Sequence, residues 1–132
     1  MPNLKLFTPE KRKTVSQRSD KIAAKIKECL SHELTRGNFP ILPGHEAESN
    51  PPAIITITYV DLSANLRNAL IYFMPLGGIK KEESAMFFKL QSYYFKNVIA
   101  KKIKLKFIPN IIFRIDDSFD YLQKIESLIS KI

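Results

Sequence analysis

The sequence predicts an α+β fold with the element order helix, strand, strand, kinked helix, strand, helix, and three of its features carry that prediction. Apolar residues recur with a helical period after residue 16, two β-branched and aromatic runs occupy 53–60 and 67–74, and the period becomes alternating after residue 102. The 132 residues suit a single domain, and 45% hydrophobic content supplies enough apolar mass for one core.

Residues 1–15 carry Lys5, Lys11, Arg12 and Lys13 beside Pro2 and Pro9 with little periodic hydrophobicity, which reads as a flexible basic arm ahead of a domain over 16–132. The first helix is expected from Ser16 or Ser19, either of which is a good N-cap, to a stop at Gly37. Its apolar stripe is Ile22, Ile26, Leu30 and Leu34 with Ala23 and Cys29 alongside, and its other face offers Arg18, Lys21, Lys25 and Lys27 to solvent. "GNFPILPGHEAESNPP" holds four of the eight prolines and has acidic residues without Lys or Arg, so it is a loop.

"AIITITYV" and "RNALIYFM", joined by the turn-forming "DLSAN", predict an antiparallel hairpin. Strict alternation places Ile55, Ile57 and Tyr59 on one face of the first strand and Ile54, Thr56, Thr58 and Val60 on the other. After Gly77 and Gly78, helix-compatible residues run from Lys80 to about Lys102, and "QSYY" places a kink near 91–94. "IKLKFIP" followed by "IIFRI" predicts a third strand ending at Asp116 and Asp117. Ser118 then caps a last helix with the stripe Phe119, Leu122, Ile125, Ile129 and Ile132.

Twenty-one Lys and Arg against thirteen Asp and Glu give a net charge of +8, which favours a polyanionic partner, nucleic acid first and an acidic membrane surface second. The excess is not spread evenly. "FKNVIAKKIKLKFIPN" contains Lys96, Lys101, Lys102, Lys104 and Lys106, and no carboxylate occurs between Glu83 and Asp116 to neutralise them. Each lysine alone suits a solvated face. Together with Arg18, Lys21 and Lys25 they form two basic blocks that suggest one field.

Other chemistry finds little support in the sequence. His32 and His45 lack partners at metal-ligand spacing, and the lone Cys29 on a helical stripe reads as a small core hydrophobe, which fits a reducing, cytoplasmic setting. Asp116 and Asp117 read as a helix cap, and "PLGGIKKEES" lacks the spacing of a phosphate-binding loop. The N-terminal segment has no apolar core of a signal peptide, and no later run approaches the roughly eighteen apolar residues of a membrane span.

From about Arg18 to Ile132 the chain resembles the bacterial ribosome-binding factor A family, through "RSDKIAAKIKECLSHEL", "TITYVDLSANLRNALIYF", "LKFIPNIIFRIDDS" and "IESLISKI". The most specific part is Pro109, Phe113 and Asp116 after a basic segment. The resemblance implies a KH-like domain, a three-stranded sheet with packed helices. It also implies a monomeric, non-catalytic assembly factor that needs no cofactor, binds the small (30S) ribosomal subunit, assists late maturation of the 5′ end of its 16S rRNA and supports growth in the cold. Maturation GTPases and other assembly factors are implied as functional partners. Two positions depart from the family's pattern. The Ala-x-Gly usual at the interhelical kink is Gln91-Ser92-Tyr93, which removes a glycine able to enter positive φ, and the Asp-Leu before the second strand is Asn65-Leu66.

The expected rRNA contacts are thus Arg18, Lys21, Lys25, Lys96, Lys101, Lys102, Lys104 and Lys106, with Ser92 and Tyr93 at the kink. Tyr93 and Tyr94 are candidates for stacking on a base, although at least one of them is expected to pack in the core. The competing expectation is a protein-interaction adaptor that docks through the apolar stripe of the first helix.

Overall fold

The computed structural model describes residues 17–130, so the basic arm, Ser16 as a cap and Ile132 lie outside the described residues. The first helix, α1, spans Gln17–Arg36 with Asp20 in its first turn and Arg36 in its last, each suited to the helix dipole. Ser19 is buried within the helix rather than capping it. Ile22, Ile26 and Leu30 are buried as the period requires, and Gly37 closes the helix at φ +66 with its N–H donating to the Glu33 carbonyl at 3.1 Å. The following loop contains one short 3-10 turn, Ala47–Ser49.

Strands β1 (Ile55–Leu62) and β2 (Asn68–Pro75) form the antiparallel hairpin, two residues later at the turn than expected, because Asp61 and Leu62 still pair with Leu70 and Ala69. A bulge between Ile57 and Tyr59 corrects the expected faces: Ile55, Ile57, Val60 and Leu62 are buried, while Tyr59 joins Thr56 on the opposite side. The extra residue reverses the alternation, so Val60 enters the core on which strict pairing would have placed Tyr59. In the turn, Asn65 Oδ1 accepts from Ser63 Oγ at 2.6 Å and from the Arg67 N–H at 3.1 Å, so the asparagine serves as a local turn acceptor.

Helix α2 covers Lys81–Leu90 and α3 covers Ser92–Lys102, with the expected break at Gln91 between them. Strand β3, Asn110–Ile115, pairs parallel with β2, giving the order β1-β2-β3. The stretch 103–109 is therefore an irregular connection, with bends at 103, 106 and 107, and not the start of the third strand. The pairing explains why: Asn110 lies opposite Asn68, the first residue of β2, so residues before Asn110 have only the hairpin turn beside them and no strand to join.

The buried face of the sheet packs against α1, α2 and α3. Its aromatic centre is Phe73, Phe88 and Phe113, with Phe88 stacked on Phe113 at 4.3 Å and 4.6 Å from Phe73, and Phe39, Phe87 and Phe95 extend it towards the loop. The last helix, α4, spans Ser118–Ser130. Its start is closed by Asp116, whose carboxylate accepts from the Ser118 N–H at 2.9 Å and from Ser118 Oγ at 2.6 Å, as the reading of Asp116 and Asp117 as a helix cap expects. Partial burial raises the Asp116 pKa, but the interactions with Ser118 and Thr58 outweigh it and hold the carboxyl below its ordinary value. The expected stripe of α4 fails towards its end, where Ile129 is 63% and Leu128 64% exposed; the Phe119 and Leu122 side chains lie outside the described residues.

Candidate nucleic-acid interface

Two helices running in opposite directions build the candidate site. Tyr94, near the start of α3, donates its hydroxyl to Glu33 near the end of α1, whereas Lys102 at the end of α3 shares a groove with the first half of α1. That groove, about 700 Å³, is lined by Arg18, Lys21 and Lys25 from α1 and by Lys102 and Lys104 as the chain leaves α3. Ile22, Ile103 and Leu105 complete the lining.

Local structure accounts for each cation's position. Arg18, Lys21 and Lys25 recur at helical spacing beside the buried stripe, so burying Ile22 and Ile26 turns all three towards one rim. On the other rim, Ile103 turns extended at φ −123 and ψ 117, donates its N–H to the Ile99 carbonyl at 2.8 Å and is buried. That anchor leaves its neighbours Lys102 and Lys104 outside. Lysines at a helix C-terminus are stabilised by the dipole by about 0.3–1 kcal/mol, which favours Lys101 and Lys102 at the end of α3.

The lining thus contains five cations and no carboxylate, and none of the five enters an ion pair among the described residues. Unneutralised charge over a partly apolar concavity makes a field suited to phosphates spaced along a chain.

Five of the ten expected contacts are brought together here: Arg18, Lys21, Lys25, Lys102 and Lys104. Lys101 is exposed at the same helix end, outside the lining, and Lys106 lies two residues beyond Lys104. Ser92 and Tyr93 belong to the other end of α3, Ser92 being ten residues and about 15 Å from Lys102, and Lys96 lies near the middle of the helix. Tyr93 is 75% exposed. Tyr94 packs instead, edge-on to Phe39 at 5.7 Å and bonded to Glu33, and partial burial followed by the Glu33 hydrogen bond pushes its hydroxyl up to about 12.

The kink forms without glycine because Gln91 takes φ −97 and ψ 13, in the bridge region, which is sparsely populated but open to an L-residue and needs no positive φ. Its buried side chain fastens the kink to the loop, Nε2 donating to the Pro40 carbonyl at 2.8 Å and to the Ser49 carbonyl at 2.9 Å. Sequence reasoning missed Arg67 and Phe107. The Arg67 guanidinium stands 5.1 Å and the Lys106 ammonium 5.6 Å from the centroid of the Phe107 ring, which is 55% exposed. Alternation placed Phe107 with the buried Ile103, and the break in that pattern appears only with the fold.

The remaining candidates gain no support from the described residues. Partial burial, with Glu33 next in effect, pushes the Cys29 thiol up, opposite to what a nucleophile needs. Among the described residues no group of His, Cys, Asp or Glu is arranged to hold a metal, and no helix is long and apolar enough to cross a membrane. The adaptor expectation loses its surface, because Ile22, Ile26 and Leu30 are committed to the protein's own core.

Fold and groove together define a KH-like α+β domain with a cationic cleft where two helices meet. The family model described as ribosome-binding factor A matches residues 14–129. Ribosome-binding factor A of Pelagibacter ubique is 35% identical over 119 residues, covering 90% of this chain and 93% of that protein. Its counterpart from Nitrobacter winogradskyi is 32% identical over 123 residues, covering 92% and 84% respectively. The chain belongs to the ribosome-binding factor A family. The crystal structure of ribosome-binding factor A from Thermus thermophilus covers 73% of this chain and 93% of its own with a TM-score of 0.56, and at 16% identity that likeness establishes the fold.

Proposed function

We propose that this protein is a ribosome-associated binding factor that grips rRNA phosphates of the small (30S) subunit in the groove between α1 and the end of α3, without a bond-making step. The observation that carries this reading is the convergence of Arg18, Lys21 and Lys25 with Lys102 and Lys104, from segments far apart in the chain, on one concavity free of carboxylates. Family membership supports the association with ribosomes. Lys101 and Lys106 are proposed as flanking contacts, and Lys96, Ser92 and Tyr93 as more distant ones along α3.

The resemblance also supports the finer role: assistance to late maturation of the 16S rRNA 5′ end, growth in the cold, action as a cytoplasmic monomer, and functional links to maturation GTPases and other assembly factors. A binding protein would act in such a process by differential affinity, holding the immature subunit in the conformation it binds best.

Salt titration of binding to purified small subunits tests the groove. If about five phosphates are neutralised, log affinity falls against log salt with a slope near −3.5 for single strands or −4.5 for duplex. A slope near zero would remove phosphate contact as the source of affinity.

A further inference from the structure

Basic and aromatic residues continue along the chain beyond Leu105, the last residue that lines the groove. Ile103 and Pro109 are both buried, and between them the chain, which bends at Lys106 and Phe107, leaves Lys104, Lys106, Phe107 and Ile108 exposed. Phe107 is a large aromatic ring left 55% exposed, with the Arg67 guanidinium and Lys106 ammonium both within cation–π range of its centroid, at 5.1 and 5.6 Å. The ring's surroundings are fixed from two sides. Pro109 is sunk into the core two residues later, and the Asn110 N–H donates to the Arg67 carbonyl at 2.8 Å, joining the hairpin turn to this segment. Phe107 is three residues from Lys104, a separation of at most about 10 Å along the chain, so one strand lying in the groove can reach it.

We propose that Phe107 is a nucleobase platform: an unpaired base of the bound RNA stacks on its ring in place of a cation now held over it, and Arg67 and Lys106 turn to the adjoining phosphates. The proposal rests on the rRNA-binding reading and narrows it, because a base inside a duplex is already stacked and offers no free face. The ligand at this end of the groove is then single-stranded RNA. An aromatic face accepts any base, so the contact selects strandedness rather than sequence.

The test uses the whole protein and an unstructured oligoribonucleotide carrying one fluorescent adenine analogue, free or annealed to its complement. Phe107→Leu keeps apolar bulk at an exposed position but removes the π-face; Phe107→Tyr keeps it. The expected result is a loss of about 5-fold or more in single-strand affinity for Phe107→Leu, together with loss of the stacking-dependent fluorescence change. Its salt slope should stay unchanged, because no charge is removed, and Phe107→Tyr should restore both signals. Wild-type affinity and fluorescence in Phe107→Leu would overturn the platform, as would an equal loss for the annealed duplex, which would mark the ring as a general apolar contact. Either result leaves the groove's role intact wherever the wild-type salt slope remains steep; a flat slope removes the groove itself.

Discussion

A single glutamine shows how one side chain can replace a backbone property. Gln91 holds the bend between α2 and α3 by two hydrogen bonds to carbonyls of the loop, so the bend does not depend on positive φ. Gln91→Ala should leave the Pro40 and Ser49 carbonyls short of a buried donor and lower the unfolding free energy by about 2–3 kcal/mol, read by chemical denaturation. Gln91→Gly should fare no better, since the lost group is the amide. Tyr94 supplies a pH signature. Its hydroxyl, ordinarily at 10.0, is pushed up to about 12 by partial burial and by the bond to buried Glu33. The folded state therefore keeps this proton more tightly than the unfolded chain, and the resulting stability is fully present below pH 10.0 and lost as pH rises towards about 12. Tyr94→Phe should remove that part of the alkaline loss in denaturation midpoints measured across this range, leaving the share due to other groups.

At the scale of elements, what is local was legible and what depends on pairing was not. The stripe of α1 and the β-branched runs announce themselves because a helix or strand period is a property of neighbouring residues. The bulge at the middle of β1 is invisible in those terms, since it exists only relative to β2, and it moves Val60 into the core. Residues 103–107 alternate as a strand would, yet no strand lies beside them. The cap at Asp116, by contrast, was legible, because an acidic pair at a turn before a helix is a local signal. Packing between elements concentrates on Phe88, which is fully buried and meets Phe87 of its own helix and Phe73, Phe95 and Phe113 from three other elements. Phe88→Ala should cost about 3–5 kcal/mol in denaturant unfolding, because the cavity would be shared by sheet and helices that cannot all close upon it.

Over the whole molecule, the net charge of +8 said that a polyanion was the partner to expect, and the two basic blocks said which segments were involved. Their convergence required the antiparallel pairing of α1 with α3, which no local pattern encodes. That pairing selects five of the ten expected contacts, leaves Tyr93 towards the far end of α3 and Lys96 near its middle, and adds Arg67 and Phe107 through the parallel pairing of β3. The central claim is that these converged cations hold rRNA. Its most direct measurement is the affinity of a folded Lys21→Glu, Lys102→Glu, Lys104→Glu variant for purified small subunits as a function of salt. Weaker binding with a slope flattened by about 2–3 is the expected outcome for three lost phosphate contacts. Affinity and slope equal to the wild type in that variant would contradict it.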